Sequence, residues 1–297
     1  MIETKKISNY LRTGVIYSIV ILLALLCLLP IWNMVCMSFS SATMVMANKV
    51  TFFPLDFTLE AYKLILKDFQ FIRSFGISVL RVCLALVINL SMIVLLAYPL
   101  SKTAKEFRGR NVIMGILIIA MLTSGGMIPT YLLLKELKLL NSVWALVLPG
   151  AVPISNMIMT MNFIIAIPNS LEEAAIIDGA NPFQVLTKVI LPCSKPSIAT
   201  MALFTMVGHW NDFQSGLVYM SKQKFYPLMT YIQSLQVDLS MLTEEGMTPE
   251  QIDKLLEVSG KNLNAAKVVV ATIPLMMIYP FLQKYLINGI VMGAVKE

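Results

Sequence analysis

The sequence predicts an all-α integral membrane protein with six transmembrane helices and both termini in the cytoplasm. Three observations carry this expectation: a composition too apolar for a soluble domain, six apolar stretches long enough to cross a bilayer, and polar segments between them, one of them densely basic. Of the 297 residues, 57% are hydrophobic and only 13% charged, against about 45–50% and ~25% in soluble domains. Mean hydropathy is +0.76. The net charge of +6 could point to nucleic acid, but the basic residues are scattered and no nucleic-acid motif accompanies them. Membrane topology accounts for them better, so the expected surroundings are a lipid membrane and no nucleic acid.

Residues 1–13 are polar, with Lys5, Lys6 and Arg12, and read as a cytoplasmic N-terminus ahead of a single transmembrane domain, 14–297. The apolar run from Gly14 to Met37 is broken only by Pro30 and Asn33. It is much longer than the ~7–15 residues of a signal-peptide core, so it is a first span. Residues 38–72 are mixed, and Phe52, Phe53 and Pro54 mark an interfacial loop. A second span runs from Ser74 to Leu100; its Arg81 is placed near the outer end, where a long cation snorkels to water. Ser101 to Asn111 holds Lys102, Lys105, Arg108 and Arg110 with one acid, Glu106, the signature of a cytoplasmic loop.

A third span covers Val112 to Pro129, where Ser124-Gly125-Gly126 permits close helix approach or a bend. Residues 130–141 return outside, and Ser142 to Ile167 form a fourth span interrupted by Pro149-Gly150 and Pro153. A fifth span runs from Ser197 to Met220, an external loop occupies 221–265, and Ala266 to Leu286 is the sixth span, with Lys267 at its outer edge. Each apolar run approaches or exceeds the ~20 residues that cross ~30 Å of hydrocarbon. Lys and Arg are nearly balanced between the two faces, so orientation rests on local density.

Between the fourth and fifth spans lies a polar island, Pro168 to Pro192, written as two short helices with a turn between them. Ser170 with Glu173 three residues later reads as a capping box, behind a helix-breaking Pro168. Gly179 suits a left-handed helix end. Asn181-Pro182 reads as a new N-cap with proline at the first helical position, and Leu191-Pro192 closes the second helix. Helices of about eight residues are marginal alone in water, so something else must hold this pair. Ala174 and Ala175 allow close approach, flanked by Glu172, Glu173 and Asp178. A well-capped surface loop and a docking element for a partner protein both fit.

The order Glu173-Ala174-Ala175, three residues, Gly179, nine residues, then Val189-Ile190-Leu191-Pro192 resembles the cytoplasmic EAA loop of the membrane subunits of ATP-binding-cassette (ABC) importers. The family pattern usually has Ile at the position of Val189. Further stretches resemble the carbohydrate branch of these permeases: SGGMIPTYLLLKELKLLNSVWALVLPGAV (Ser124 to Val152), GHWNDFQSGLVY (Gly208 to Tyr219), YPFLQKYLINGI (Tyr279 to Ile290) and MGAVKE (Met292 to Glu297).

The nearest type is the second membrane subunit of maltose-type importers, and the SGGMIPTYLL wording is similar to permeases for complex oligosaccharides or polysaccharide fragments. The resemblance implies a type I importer permease fold, a homologous second permease, two ATPase subunits carrying the ATP and Mg, an extracytoplasmic solute-binding protein and an oligosaccharide substrate. It implies ATPase coupling at 170–192 through Glu172, Glu173, Ala174, Ala175, Asp178, Gly179, Leu191 and Pro192, with Glu173 paired to a basic residue of the ATPase. In maltose-type systems the partner permease holds most of the sugar.

The chain itself shows no catalytic constellation and no cofactor site. Gly260-Lys261 is the only Gly-Lys pair and position 255 is Leu where a phosphate-binding loop needs Gly, so ATP hydrolysis belongs to another polypeptide. Cys27, Cys36, Cys83 and Cys193 have no metal spacing, and His209 is the lone histidine. Polar residues inside spans are costly, and the densest group is His209, Trp210, Asn211, Asp212 and Gln214 with Phe213, placed mid-helix in the fifth span. It reads either as a packing cluster or as sugar contacts, through ring stacking on Trp210 and hydrogen bonds to Asn211, Asp212 and Gln214. Asn156, with Asn162 and Asn89, is a weaker pathway candidate, and for all three interhelical hydrogen bonding is the stronger reading. Two rivals remain: the same architecture for a non-sugar solute, and an ion-coupled secondary transporter with Asp212 as its deep acid.

Overall fold

The computed structural model describes residues 2–123, 125–235 and 260–294, and those residues contain helices and connections with no strand. In order, α1 spans Ile2–Ser38, α2 Ala42–Met46, α3 Glu60–Lys67 and α4 Phe69–Ser101. Then come α5 Arg110–Leu122, α6 Met127–Glu136, α7 Val143–Val147 continued by a 3-10 turn to Gly150, and α8 Ile154–Ile165. The polar island forms α9 Asn169–Ile177 and α10 Pro182–Val185, with a π-helical turn Leu186–Ile190 leading into α11 Leu191–Cys193. α12 is Lys195–Asn211, α13 Gln214–Tyr219 and α14 Lys261–Ala294.

Among the described residues, three stretches are long and apolar enough to cross a membrane unbroken: Thr13–Ser38, Phe69–Ser101 and Lys261–Pro280, of 26, 33 and 20 residues. Helical rise of ~1.5 Å per residue gives each of them at least the ~30 Å of the hydrocarbon core. The other apolar segments are bent. The third expected span stops at Leu122, and a new helix starts at Met127 behind Gly126, whose φ of +80° favours glycine; Ser124 lies outside the described residues. The fourth bends by 49° between Val143–Gly150 and Ile154–Ile165, at the Pro149-Gly150 and Pro153 the sequence singles out. The fifth is broken at Asp212 and Phe213, between α12 and α13. Most of the expected 221–265 loop, residues 236–259, and the last three residues of the tail lie outside the described residues.

The chain divides into two compact units, 1–69 with 235–272 and 70–234 with 273–297. In the first, the end of α1 is stitched to the following loop. Trp32 Nε1 donates to the Phe52 carbonyl and Asn33 Nδ2 to that of Thr51, both at 2.8 Å. Cys36, Val45 and Val50 form a small core, and Lys267 pairs with Asp68 at 2.9 Å. Along α1 itself the large apolar side chains from Val15 to Trp32 are 41–64% exposed, as for a helix that presents itself to lipid or another chain.

The second unit is built on α4. Its buried residues, Phe71, Ser74, Ser78, Arg81, Ala85, Asn89, Ile93, Ala97 and Leu100, recur every three or four positions and so form one stripe. The stripe is polar from Ser74 to Asn89 apart from Ala85, and wholly apolar from Ile93 onward. Its apolar end packs with Met157, Met161 and Ile164 of α8, Met201 of α12, and Val185, Leu186 and Ile190 of the paired short helices. The short helices are thus held by burial against α4 and α8, not by their own propensity.

One expectation about the island fails. α9 begins at Asn169 with Pro168 as N-cap and no side-chain cap, so Ser170 sits inside the first turn and cannot form a capping box with Glu173. Pro168, extended at ψ 126°, already supplies the entry. Nor does Pro192 stop the second helix at Leu191: the ladder widens into the π turn and runs on to Cys193.

Gly216 of α13 lies against Thr230, which is fully buried and donates to the Phe213 carbonyl at 2.9 Å. A Cβ at position 216 would meet Thr230 Oγ1 at 2.0 Å. Gly216→Ala is expected to lower the thermal unfolding midpoint in detergent, since overpacking costs ~1–3 kcal/mol, and adding Thr230→Ala should recover part of the loss. An unchanged midpoint in the single variant would rule out the close approach.

Candidate functional site

Two regions of the second unit combine functional side chains. The first is the paired short helices. α9 closes in a Schellman arrangement: Gly179, at φ +83°, donates to the Ile176 carbonyl at 3.0 Å and Ala180 to that of Ala175 at 2.9 Å, which satisfies carbonyls the helix end leaves open. The capping box is on the second helix, where Gln184 N donates to Asn181 Oδ1 and Asn181 N to Gln184 Oε1, each at 2.9 Å.

The two glutamates of α9 part company. Glu172 turns inward to an ion pair with Lys102 and accepts the Tyr98 hydroxyl at 3.1 Å, while Lys102 Nζ sits 4.7 Å above the Tyr98 ring. This fastens α9 to the end of α4. Glu173 is exposed and, among the described residues, makes no ion pair. Ala175 and Leu191 pack on the core, whereas Ala174, Asp178 and Pro192 are exposed. Around Glu173 the surface is apolar: Leu171, Ile176, Ile177 and Phe183 are 45%, 57%, 85% and 70% exposed. Such clustering marks an interaction surface. In the adjoining basic loop, hydrogen bonds from the Thr103 hydroxyl and backbone hold the Glu106 carboxyl below the usual carboxylate range.

The second region lies where α12 breaks. Arg81 does not snorkel: it is 1% exposed, and its guanidinium pairs with Asp212 Oδ2 at 2.5 Å. Its Nη1 also donates to the Asp212 backbone carbonyl at 2.9 Å. Asp212 is the C-cap of α12, not a mid-helix residue, and its other carboxylate oxygen accepts the Ser215 N–H at 3.1 Å. The broken helix therefore gives Arg81 both a carboxylate and a free carbonyl. Eight residues further along α4 from Arg81, and three before Asp212 on α12, Asn89 Nδ2 lies 3.4 Å from His209 Nε2.

These residues border a cavity of ≈ 280 Å³ that Asn156, Phe204 and Tyr219 also line. Of the pathway residues expected from sequence, Asp212 and Asn156 are on it. Trp210, Asn211 and Gln214 are not among its lining residues: Trp210 is buried with its ring edge-on to Phe75, centroids 5.7 Å apart, and Asn211 and Gln214 are exposed. What the sequence alone does not join is Arg81 and Thr205 to the cluster of His209 and Asp212. The available signal was that Arg81 and Asp212 are the one base and the one acid in the second and fifth apolar runs. Among the described residues no three His, Cys, Asp or Glu side chains converge as a metal site.

Comparison with known proteins follows the same lines. Residues 93–291 match the family described as "Binding-protein-dependent transport system inner membrane component". The polygalacturonan/rhamnogalacturonan transport system permease protein YtcP of Bacillus subtilis is 35% identical over 97% of this chain and 99% of its own length. A chain of a bacterial ABC transporter involved in the import of the acidic polysaccharide alginate superposes with a TM-score of 0.81 at 32% identity, covering 92% of this chain and 96% of that one. A chain of the bacterial alginate ABC transporter in complex with alginate pentasaccharide-bound periplasmic protein shares the fold alone, with a TM-score of 0.53 and 17% identity over 91% and 93% of the two chains.

Asp212→Asn is expected to destabilise the protein, because it leaves the buried Arg81 charge uncompensated. Breaking a buried pair costs ~3–5 kcal/mol, and the 29% exposure of the Asp212 side chain places the loss toward or below the lower end. The double variant Arg81→Met/Asp212→Leu should melt closer to wild type than Asp212→Asn does. A single variant that melts like wild type would show that the pair is not a stabilising contact.

Proposed function

The chain belongs to the family of binding-protein-dependent transport system inner membrane components, the permeases of ABC importers, and we propose that it forms half of the translocation pathway for an oligosaccharide. The observation that carries this reading is the outward face of α9 and α10: a free carboxylate, Glu173, set among exposed Leu171, Ile176, Ile177 and Phe183, on helices rooted in the membrane-spanning core. A surface so apolar at a helix pair needs a partner, and an ATPase subunit with a basic residue opposite Glu173 fits it.

The chain then has six spans, the third, fourth and fifth being the bent ones, with both termini and the basic loop on the ATPase side. Its partners are a homologous second permease, to which the exposed flank of α1 is suited, two ATPase subunits that carry the ATP and Mg, and an extracytoplasmic solute-binding protein. It sits in the bacterial cell membrane. The relatives named for pectic and alginate polysaccharides support a sugar-chain substrate; a non-sugar solute in the same architecture is the alternative.

In mechanism, closure of the ATPase dimer pushes α9 and α10. Because Lys102 and Tyr98 hold Glu172 and Val185, Leu186 and Ile190 pack on α4, α8 and α12, the push reaches those spans as a rigid-body motion. ATP hydrolysis takes place on the separate subunit.

Affinity purification of the chain from mild-detergent membranes of its host, with mass spectrometry, tests the assembly: a second permease, an ATPase and a binding protein should accompany it, and a lone chain would overturn the reading. Glu173→Ala, which removes no contact described within the chain, is expected to leave folding and assembly intact and to abolish uptake while ATP hydrolysis persists. Wild-type uptake by a normally assembled variant would remove Glu173 from the coupling role.

A further inference from the structure

The cavity beside the broken helix is lined by more hydrogen-bonding groups than the described residues satisfy. Arg81, Asn89 and Thr205 are each under 5% exposed, yet Arg81 Nε, Asn89 Oδ1, Thr205 Oγ1 and His209 Nδ1 are buried side-chain atoms with no hydrogen-bond partner among the described residues. All four residues line the cavity. A buried polar atom left unpaired costs ~1–3 kcal/mol, and inside a membrane-spanning domain polar side chains ordinarily face a partner or an aqueous path. Four such atoms in one place are not a packing cluster that has closed on itself.

The chemistry of the lining selects the occupant. The cation, Arg81, is already paired with Asp212, so charge alone does not select the occupant. The remaining polar lining is made of groups that both donate and accept: the amides of Asn89 and Asn156, the hydroxyls of Thr205, Ser215 and Tyr219, and the imidazole of His209. Sugar hydroxyls also donate and accept. Phe204, 45% exposed, adds an aromatic wall of the kind that covers the C–H face of a sugar ring. At ≈ 280 Å³ the space is just below the ~300–1,000 Å³ of small-ligand pockets, room for one ring rather than a whole chain.

We propose that this cavity is a subsite that holds one sugar ring of the transported oligosaccharide through its hydroxyls, with Asn89, Asn156, Thr205 and His209 as the contacting residues. The subsite rests on the importer reading above and extends it, since it puts a station for the sugar on this subunit.

Gly150 and Gly208 line the cavity, and a Cβ at either would have no heavy atom within 4 Å, so each can carry a reporter. The assembled importer, with Cys27, Cys36, Cys83 and Cys193 changed to serine, would carry Gly150→Cys or Gly208→Cys and be reconstituted in liposomes. A trimethylammonium methanethiosulfonate measures access from water; trigalacturonate and maltotriose are the sugar probes. Both cysteines should react, and an imported probe at ten times its half-saturating concentration should slow the reaction about tenfold, as simple occupancy requires.

Cysteines that stay unreactive in every nucleotide state overturn the subsite. So does unaltered reactivity while the same vesicles import the probe. Uptake is read separately: if neither sugar enters, it is the substrate class of the preceding subsection that fails.

Discussion

A guanidinium inside a membrane-spanning helix must meet an anion, and the unit from residue 70 to 234 is arranged around that requirement. Arg81 is 1% exposed in the buried stripe of α4, and it is answered by Asp212, from a different helix. One carboxylate would leave the fork of the guanidinium half used. The interruption of α12 at Asp212 frees a backbone carbonyl for the second branch, and Ser215 at the start of α13 satisfies the remaining carboxylate oxygen. The break in the helix and the ion pair are one arrangement: an unbroken helix would keep that carbonyl inside its own ladder.

The other end of α4 solves a different problem. Two helices too short to persist alone have to be given a fixed position. They gain it from an apolar patch, Ile93, Ala97 and Leu100 against Val185, Leu186 and Ile190, and from a polar clasp in which Lys102 and Tyr98 hold Glu172. α4 is therefore common to both regions, with the hydrogen-bonding half of its stripe beside the cavity and the apolar half beneath the short helices. The side chains left over on α9, Glu173 among them, are those the fold does not use.

Much of this was legible in the chain because hydrocarbon and backbone sterics act locally. An apolar run of sufficient length declares itself by composition. Gly179 and Asn181-Pro182 mark the turn because few residues accept a positive φ and few other pairs start a helix so directly. Pro149, Gly150 and Pro153 likewise locate the bend in the fourth apolar segment. The capping box at Ser170 and Glu173 misled because Pro168 can begin the helix two residues earlier without any side-chain cap, so the pattern was present but unneeded. Arg81 was misjudged, and Trp210 left open between packing and sugar contact, for a different reason. Their environments are set by residues distant in sequence, Asp212 lying 131 positions from Arg81 and Phe75 on another helix from Trp210. Periodicity within one helix reports which face is buried but not what waits there.

The pairing of Arg81 with Asp212 also has an electrical consequence. A single charge carried through the membrane field exchanges ~2.3 kcal/mol with every 100 mV of potential. An arginine moving with its helix would therefore couple the protein's motions to the voltage of the cell. Here the opposite charges sit 2.5 Å apart and lie on packed helices, so any displacement that carries them together moves no net charge. The buried ionic groups of this unit form a compact dipole, and rearrangements that keep it intact are indifferent to the membrane potential, leaving their energetics to whatever pushes on the short helices.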